Sequence, residues 1–375
     1  MRNEPSKTVL VLAGELSRAG GLEKSLSHKV AAWTKRGVEV QVVSVIDNGP
    51  DFYPVGPRVS RRSLGIRYRQ DEPLHSAGNL WRALQHALAL WRLLRAESPD
   101  VVIHCGYGFD FFLLPLLAPK RTILIKENHS SRAYSRGKMG GLLMRMKSKL
   151  RTRFERRYTW MVFLSEEEAR ACALPNARVI PNALPPLAYD PEAVERKNVV
   201  IAAGRICHVK GFDRLLEVWA LASPRLAGWE LHMYGDGEPA DVAELGAKID
   251  QAGISSTVRI RPATPIIGKK MAESRLYAMT SRSECFPMVL LEATQIGLPI
   301  ISFDCPTGPR NIVIDTKTGR LIPDGDTALF ADTLVALALD PAACRRMSEQ
   351  ARIACRRFEI DQVTSDWMRL FGVSP

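Results

Sequence analysis

The chain opens with a strand pattern, a glycine-containing loop and an amphipathic helix pattern. Residues Thr8 to Ala13 are β-branched or apolar without a break, which is typical of a parallel strand buried on both faces. Residues 22–36 then carry apolar side chains at helical spacing, and Gly37 precedes a second strand pattern at 38–45. Because parallel strands need a crossover connection, this βαβ pattern predicts an α/β fold built on a parallel sheet.

The alternation of strand and helix patterns continues along most of the chain, with one interruption. A proline-rich polar stretch at 181–191 separates two such runs and is the predicted linker. Further strands are predicted at 101–104, 122–126, 160–164, 198–203, 230–234, 257–260, 275–280 and 299–303, and helices at 80–95, 141–158, 212–221, 240–252 and 289–296. Two doubly wound domains of this kind predict a ligand crevice at the carboxyl ends of their strands.

Positive charge is concentrated in the first half of the chain. The net charge is +12; residues 1–190 hold 30 Lys and Arg against 17 Asp and Glu, and the remainder is near neutral. Such a half predicts an anionic partner, which composition alone leaves open among nucleic acid, an acidic membrane surface and a phosphorylated ligand. A hydrophobic fraction of 46% with 25% charged residues excludes a disordered or low-complexity protein.

Cysteine usage and hydropathy indicate a cytoplasmic protein. The seven cysteines are scattered without a Cys-x-x-Cys pair, which argues against a disulfide framework or a zinc site and fits a reducing compartment. The longest apolar stretches, around 109–118, fall short of the roughly 18 residues of a membrane span. Any contact with a membrane is therefore expected to be peripheral.

Two turns in the second half have the composition of phosphate-binding loops. Gly204-Arg205 follows a predicted strand and Lys210-Gly211 opens the next helix, so helix N–H groups and two cations could meet a diphosphate. A solvated turn with two surface cations explains these residues equally well. The turn Tyr234 to Glu238, which contains Gly235, could also line a nucleotide, although two-glycine turns are more often only turns.

Two glutamates stand eight positions apart in the segment Ser283 to Ala293. Glu284 lies in a loop after a predicted strand, and Glu292 lies on a helix that starts near Pro287. Within its apolar surroundings Glu292 needs polar partners, which the hydroxyls of a sugar would supply. An amphipathic helix with one exposed glutamate is the alternative. Gly20 and Gly21, after the first strand, permit close backbone approach to a ligand or form a simple turn.

The segment Arg132 to Arg157 is unusually basic. It holds ten cations against one acid, Glu155. Leu142, Leu143, Met146 and Leu150 recur in it at helical spacing. A helix of this kind can lie on an anionic leaflet, each cation near the surface contributing about 1 kcal/mol. A solvated surface helix is the ordinary alternative.

As an ordered set, these motifs resemble the retaining GT-B glycosyltransferases of family 4, and the resemblance covers nearly the whole chain. The segment Asp304 to Arg310 is similar to the branch that builds polysaccharides, lipopolysaccharide or lipid-linked oligosaccharides from UDP-sugars. The matching elements are Gly20 to Glu23, Ser165, Ile180 to Asn182, Gly204-Arg205 with Lys210-Gly211, Tyr234 to Glu238, Glu284 with Glu292, and Gly297 to Ile300. Two departures are Asn311-Ile312-Val313 for the usual Glu-Ile-Ile and Glu284-Cys285-Phe286-Pro287 for Glu-Gly-Phe-Gly.

The resemblance implies a GT-B fold of two Rossmann-like domains facing a central crevice. It implies an acceptor- and membrane-binding domain at 1–185, a UDP-sugar-binding domain at 186–357, and a C-terminal helix at 358–375 that packs back toward the first domain. Arg205 and Lys210 would hold the donor diphosphate, Glu292 the ribose and Glu284 the transferred sugar. The N–H groups of the segment Phe286, Pro287, Met288 and Val289 would assist them, and no metal or other cofactor is expected.

The resemblance also implies a reaction and a location. His129 would lie beside the transferred sugar, with His104 as a rival that is more often structural. The expected reaction is retaining transfer of a hexose or N-acetylhexosamine (glucose, galactose or GalNAc type) to a membrane-associated acceptor in lipopolysaccharide core, O-antigen or capsule synthesis. The protein is then expected on the cytoplasmic face of the inner membrane, bound through Arg132 to Arg157. A nucleic-acid-binding protein and a non-catalytic nucleotide-sugar-binding scaffold remain the alternatives.

Overall fold

The computed structural model describes residues 6–46, 49–69, 71–73, 76–106, 108–131 and 142–373. The chain divides into two compact units. The first unit comprises Met1–Arg18, Ser25–Pro181 and Ile360–Pro375, and the second comprises Ala19–Lys24 and Asn182–Glu359. The chain therefore passes from one unit to the other after residues 181 and 359, whereas the sequence predicted boundaries after residues 185 and 357. The grouping of residues 19–24 with the second unit has no counterpart in the sequence-based prediction.

The first unit is built on a parallel sheet of seven strands. In chain order these are β1 (Thr8–Ala13), β2 (Glu39–Ser44), β3 (Ser60–Ser63), β4 (Val101–His104), β5 (Ile123–Glu127), β6 (Trp160–Phe163) and β7 (Ala177–Val179). Their order in the sheet is β3-β2-β1-β4-β5-β6-β7, and all neighbouring strands run parallel. The central strands β1 and β4 are buried because helices cover both faces of the sheet.

Helices connect these strands, and local sequence signals set their ends. They are α1 (Gly21–Lys35), α2 (Ala77–Glu97), α3 (Asp110–Leu117), α4 (Leu142–Glu155) and α5 (Glu166–Cys172). Ser76 caps α2 by accepting from the Asn79 N–H, and Ser165 caps α5 by accepting from the Glu168 N–H. Gly37, with φ of +82°, supplies the left-handed residue that follows α1.

The second unit is a parallel sheet of six strands in the order β10-β9-β8-β11-β12-β13. The strands are β8 (Val199–Ala203), β9 (Glu230–Tyr234), β10 (Val258–Arg261), β11 (Leu276–Met279), β12 (Ile300–Phe303) and β13 (Gly319–Ile322). The helices are α6 (Phe212–Ala222), α7 (Pro239–Gln251), α8 (Ile267–Ala272), α9 (Met288–Ile296), α10 (Thr327–Ala338) and α11 (Pro341–Cys355). A buried cluster around Trp219, Phe303 and Phe330 joins α6 and α10 to the sheet.

The last helix, α12 (Ile360–Phe371), belongs to the first unit. Its apolar face carries Trp367 and Phe371, whose rings lie 5.3 and 5.2 Å from the ring of Trp33 on α1. Edge-to-face contacts at such distances add about 0.5–1.5 kcal/mol each to the burial of the rings. The return of the chain to the first unit confirms the prediction made for the C-terminal helix.

The parallel α/β architecture is confirmed, and several short elements were missed. The strand β3 has the sequence Ser-Arg-Arg-Ser and lies at an edge, so it carries no apolar alternation. Helix α3 contains Pro115, and α8 is too short to show a helical period. The predicted basic helix lies within the described residues only from Leu142 onward.

No single helix in the described ranges combines the length and apolar character needed to cross a membrane. One bent pair, Thr327–Ala338 with Pro341–Phe358, meets both criteria only when its two parts are taken together.

Candidate active site

The turn after β8 brings the first predicted cations to the carboxyl end of the second sheet. Arg205 is exposed on this turn, and Lys210 ends a short 3₁₀ segment immediately before α6. Gly211 has a φ of +64°, and a Cβ there would lie 2.2 Å from the carbonyl oxygen of Thr280. Glycine is required at this point both by its backbone conformation and by the close approach of the β11 connection.

Lys210 and Glu284, which the sequence assigned to one ligand, form an ion pair. The Lys210 Nζ lies 2.6 Å from Glu284 Oε1, and the same oxygen accepts from the Ser281 hydroxyl at 2.7 Å. The Glu284 side chain is nearly buried, whereas Lys210 is partly exposed. A buried carboxylate needs such partners, so the pair holds both side chains at one end of the sheet.

Arg282 fixes the turn that carries Lys210. Its guanidinium donates to both carboxylate oxygens of Asp213, at 2.8 and 2.6 Å, and to the carbonyl of His208 at 2.7 Å. The hydrogen bonds from Arg282 hold the pKa of Asp213 below its usual value. Sequence reasoning missed this pair because neither residue lies in a motif and 69 positions separate them.

Gly235 lets two turns of the site pack closely. A Cβ on Gly235 would lie 1.9 Å from the Gly204 carbonyl oxygen, and one on Gly237 would lie 2.5 Å from that of Ile206. Backbone hydrogen bonds from Gly204 to Tyr234 and from Ile206 to Asp236, at 3.0 and 2.9 Å, join the turns. The structure thus gives the glycines of this turn a packing function next to Arg205.

Glu292 lies buried on α9, so the alternative of an exposed glutamate is wrong. Its Oε2 is 2.7 Å from the Nζ of Lys24, a residue of the 19–24 segment that groups with the second unit. In the same segment, a Cβ on Gly21 would meet the Met288 side chain at 3.5 Å, and one on Gly20 would overlap the Glu23 carboxylate. Lys24 was missed, although it follows the predicted glycines by only one helical turn.

The segment before α9 is held by backbone packing. Phe286, Pro287 and Met288 are buried and Val289 is partly buried. The Asn182 amide donates to the Phe286 carbonyl at 3.4 Å. Pro287 has no N–H, so the expectation that N–H groups along the whole segment assist a ligand is corrected to Phe286, Met288 and Val289.

The loop after β12 packs against the loop that carries Glu284. The Glu284 N–H donates to the Pro306 carbonyl at 3.0 Å, and the Thr307 hydroxyl donates to the Glu284 carbonyl at 3.1 Å. Asn311, which stands where the resembling enzymes usually have Glu, donates its side-chain amide to the Thr307 carbonyl. Asn311 therefore helps to close this loop through a neutral hydrogen bond.

Replacing Gly308 with alanine tests this packing. A Cβ at 308 would lie 2.7 Å from Glu284 Cβ and 2.8 Å from Pro287 Cδ, so one loop must shift. We expect Gly308→Ala to lower the free energy of unfolding by about 1–3 kcal/mol, measured by urea denaturation. Gly246→Ala on α7, where a Cβ would meet nothing within 4 Å, is the matched control and should be neutral or stabilising. An equal change in the free energy of unfolding for the two variants would contradict the close packing of the two loops at Gly308.

In the first unit, His129 belongs to a buried ionic cluster at the end of β5. Glu127 accepts from the Lys29 ammonium and from the Cys105 thiol, and its Oε2 lies 3.2 Å from His129 Nε2. Burial lowers the pKa of His129, which favours the neutral imidazole. Burial alone would raise the pKa of Glu127, but Lys29 and His129 outweigh it and hold the pKa below the usual range.

The Cys105, Glu127 and His129 side chains have the donor types of a metal site. Their ligand atoms all lie within 4.8 Å of one another. However, burial raises the pKa of the Cys105 thiol to about 12, so it is protonated, and the Lys29 ammonium already pairs with Glu127. These features suit a cluster that orients His129 better than one that binds a divalent cation.

His104, the rival histidine, lies in a separate buried network of the first unit. Its Nε2 is 3.5 Å from an Asp110 carboxylate oxygen, and the other oxygen is 3.7 Å from His86 Nε2. The Tyr68 hydroxyl lies 3.1 Å from His86 Nδ1. Burial lowers the pKa of both histidines, so the network is neutral except for the Asp110 carboxylate.

Comparisons with known proteins agree with this architecture. The family model described as Glycosyltransferase Family 4 matches residues 19–186, and the model described as Glycosyl transferases group 1 matches residues 189–354. Among solved structures, a TarM variant of S. aureus in complex with fondaparinux, α-GlcNAc-glycerol and UDP has a TM-score of 0.82 at 14% identity. The similarity covers 97% of this chain and 99% of that one. It shows a shared fold.

Two curated relatives are each 28% identical to this chain. The exopolysaccharide phosphotransferase of Streptomyces coelicolor matches 94% of this chain, which spans only 39% of that protein. The amylovoran biosynthesis glycosyltransferase AmsD of Erwinia amylovora matches 82% of this chain over 84% of its own length. Together with the family models and the GT-B fold, these matches show that the chain is an enzyme belonging to the group 1 and family 4 glycosyltransferases.

Proposed function

We propose that this enzyme transfers a hexose or an N-acetylhexosamine, with retention of configuration and without a metal, from a UDP-sugar to a membrane-associated glycan acceptor. The processes proposed are lipopolysaccharide core, O-antigen or capsular polysaccharide synthesis. The Lys210–Glu284 ion pair, together with Arg205 on the same turn as Lys210, carries the donor half of this proposal. The names of the two relatives, which refer to exopolysaccharide and to amylovoran biosynthesis, support a glycan product.

Lys210 and Glu284 would change partners when the donor binds. Lys210 is partly exposed, so its ammonium can turn from Glu284 to the diphosphate and join the guanidinium of Arg205. Glu284 is then left with the Ser281 hydroxyl and an open position for a hydroxyl of the transferred sugar. Cations placed in advance stabilise the charge that develops as the diphosphate leaves, which accelerates transfer.

Glu292 would bind the ribose. Its Oε2 accepts a hydrogen bond from the Lys24 ammonium at 2.7 Å, and its Oε1 would accept the ribose hydroxyls. UDP in the TarM complex is in keeping with a uridine donor.

Retention would follow from attack on the face from which the diphosphate leaves. The departing phosphate oxygen takes the proton of the acceptor hydroxyl, so no dedicated base is required. Two carboxylates about 5 Å apart, as in retaining hydrolases, are then unnecessary. Neutral His129, oriented by Glu127, would stay beside the transferred sugar as a hydrogen-bonding group.

Release of UDP from candidate donors tests the proposal without knowledge of the acceptor. We expect slow hydrolysis of one UDP-hexose or UDP-N-acetylhexosamine, unchanged by EDTA, with an α-anomer as the first product observed by NMR. The corresponding ADP- and GDP-sugars serve as controls for recognition of the nucleobase. Binding of UDP without hydrolysis of any UDP-sugar would contradict the proposed donor, and loss of activity in EDTA or a β-anomer would overturn the mechanism.

A further inference from the structure

The outward face of α2 is apolar where a surface helix normally carries polar side chains. Five large side chains share this face, at a spacing that keeps them within about one third of the helix circumference. They are each between 42% and 60% exposed. These residues, named the α2 stripe, are Leu80, Trp81, Leu84, Leu88 and Trp91.

The stripe is not needed for packing the first unit. The opposite face of α2 already supplies buried residues, among them Leu90, Leu93 and Leu94, to the core over the sheet. A helix that is apolar on both faces is expected where the outer face is also covered. Large contiguous apolar patches on a protein surface mark interaction sites.

Helix α3 packs against α2, and α4 packs against α3. Helix α3 contacts α2 through Phe109 and His86, whose rings are 6.0 Å apart, and contacts α4 through Phe112 and Phe154, at 5.1 Å. Exposed apolar side chains occur on both α3 and α4. These are Phe109 and Leu116 at α3, and Met146 and Leu150 on α4.

Exposed cations are numerous on and beside these three helices. On α2 the Arg95 guanidinium lies 5.7 Å from the centre of the Trp91 ring. Exposed cations on or beside the three helices are Arg92, Arg95, Lys120, Arg121, Lys147, Lys149, Arg153, Arg156 and Arg157. Of the acids on the described parts of these helices, Asp110 and Glu155 are buried, and exposed Glu97 pairs with Arg62 at 3.3 Å.

Exposed tryptophan and leucine together with exposed arginine and lysine fit the interface of an anionic bilayer. The apolar side chains enter the acyl boundary, the indoles lie at the level of the headgroups, and the cations meet lipid phosphates. A second copy of the chain fits less well, because it would bring these exposed cations against an identical set.

We propose that the α2 stripe inserts into an anionic phospholipid bilayer, with the exposed cations of α4 bound to headgroups. This inference extends the membrane-association part of the proposed function, which rested only on the basic segment. It identifies α2, outside that segment, as the element that enters the membrane. Vesicle binding and donor hydrolysis are measured separately, so either proposal can fail alone.

Tryptophan fluorescence offers a direct measurement of insertion. Trp81 and Trp91 belong to the stripe, whereas Trp33, Trp219, Trp229 and Trp367 are buried in the protein. With vesicles of phosphatidylcholine and phosphatidylglycerol, we expect lipids brominated on the acyl chains to quench the emission of the full chain. Vesicles of phosphatidylcholine alone should bind far more weakly.

Substitution of the stripe separates insertion from simple charge attraction. The triple variant Trp81→Gln/Leu84→Gln/Leu88→Gln should lose about tenfold in vesicle affinity per residue, measured by co-sedimentation, with UDP-sugar hydrolysis retained. The control Leu221→Gln/Leu339→Gln/Ile353→Gln removes apolar side chains of the second unit that are 52%, 65% and 57% exposed, and should bind like the unsubstituted protein. Unchanged binding of the stripe variant would overturn the proposal. The proposal would also be overturned if the unsubstituted protein formed a dimer that the triple variant disrupts and did not bind vesicles.

Discussion

Replacing Lys210 with alanine is expected to lower kcat for sugar transfer by about 10²–10³-fold while leaving the second unit folded. The expected loss is that of one preorganised group that stabilises charge in the transition state. In the proposed site Arg205, on the same turn, would still bind the diphosphate, so KM should change less than kcat. Initial rates over a range of donor concentrations give both constants, and circular dichroism reports the fold.

The partner substitution and a matched control show whether the effect belongs to the site. Glu284→Ala should also abolish most transfer, and the double variant should lose much less than the product of the two single losses, because both act on one bound donor. Lys270→Ala breaks a second-unit ion pair with Glu273 at 3.0 Å and should leave kcat unchanged. Retention of most activity by Lys210→Ala, or strict additivity in the double variant, would refute the assignment.

Much of the fold follows from local patterns. Strand β1 and strand β9 have the predicted bounds because continuous apolar or alternating residues end at glycine or charged residues. The bounds of β3 required knowledge of its neighbour β2, since a strand of Ser-Arg-Arg-Ser forms only where an edge offers backbone partners. Short edge elements are thus set by tertiary structure.

The site was only partly predictable for a related reason. Lys210 and Glu284 were found because each follows a strand of the same sheet, and the carboxyl ends of parallel strands meet at one edge. Lys24, the partner of Glu292, is 268 positions away from it, and Lys29, the partner of Glu127, is 98 positions away from it. Pairs at such separations give no local sequence signal. A single sequence also does not distinguish a buried lysine from an exposed one.

The Glu127 cluster provides the largest expected effect on stability. Glu127→Gln should lower the free energy of unfolding of the first unit by about 3–5 kcal/mol, because the substitution leaves the Lys29 ammonium, only 2% exposed, without its carboxylate. The double variant Lys29→Met/Glu127→Gln removes the stranded charge and should recover most of this loss. Urea denaturation of both variants at neutral pH measures the two values.

The pH dependence of the same variants gives an independent measure of the ion pair. The pKa of Glu127 is held below its ordinary value of 4.5 in the folded protein, so below pH 4.5 the unfolded chain binds the proton first. The stabilisation by Glu127 is therefore complete above that pH and is lost as the pH falls toward the folded pKa. The Glu127→Gln variant has no carboxylate at this position to protonate. The difference in free energy of unfolding between this variant and the unsubstituted protein should therefore become smaller in acid. A difference independent of pH would mean that the lost stability came from packing and not from the charge of Glu127.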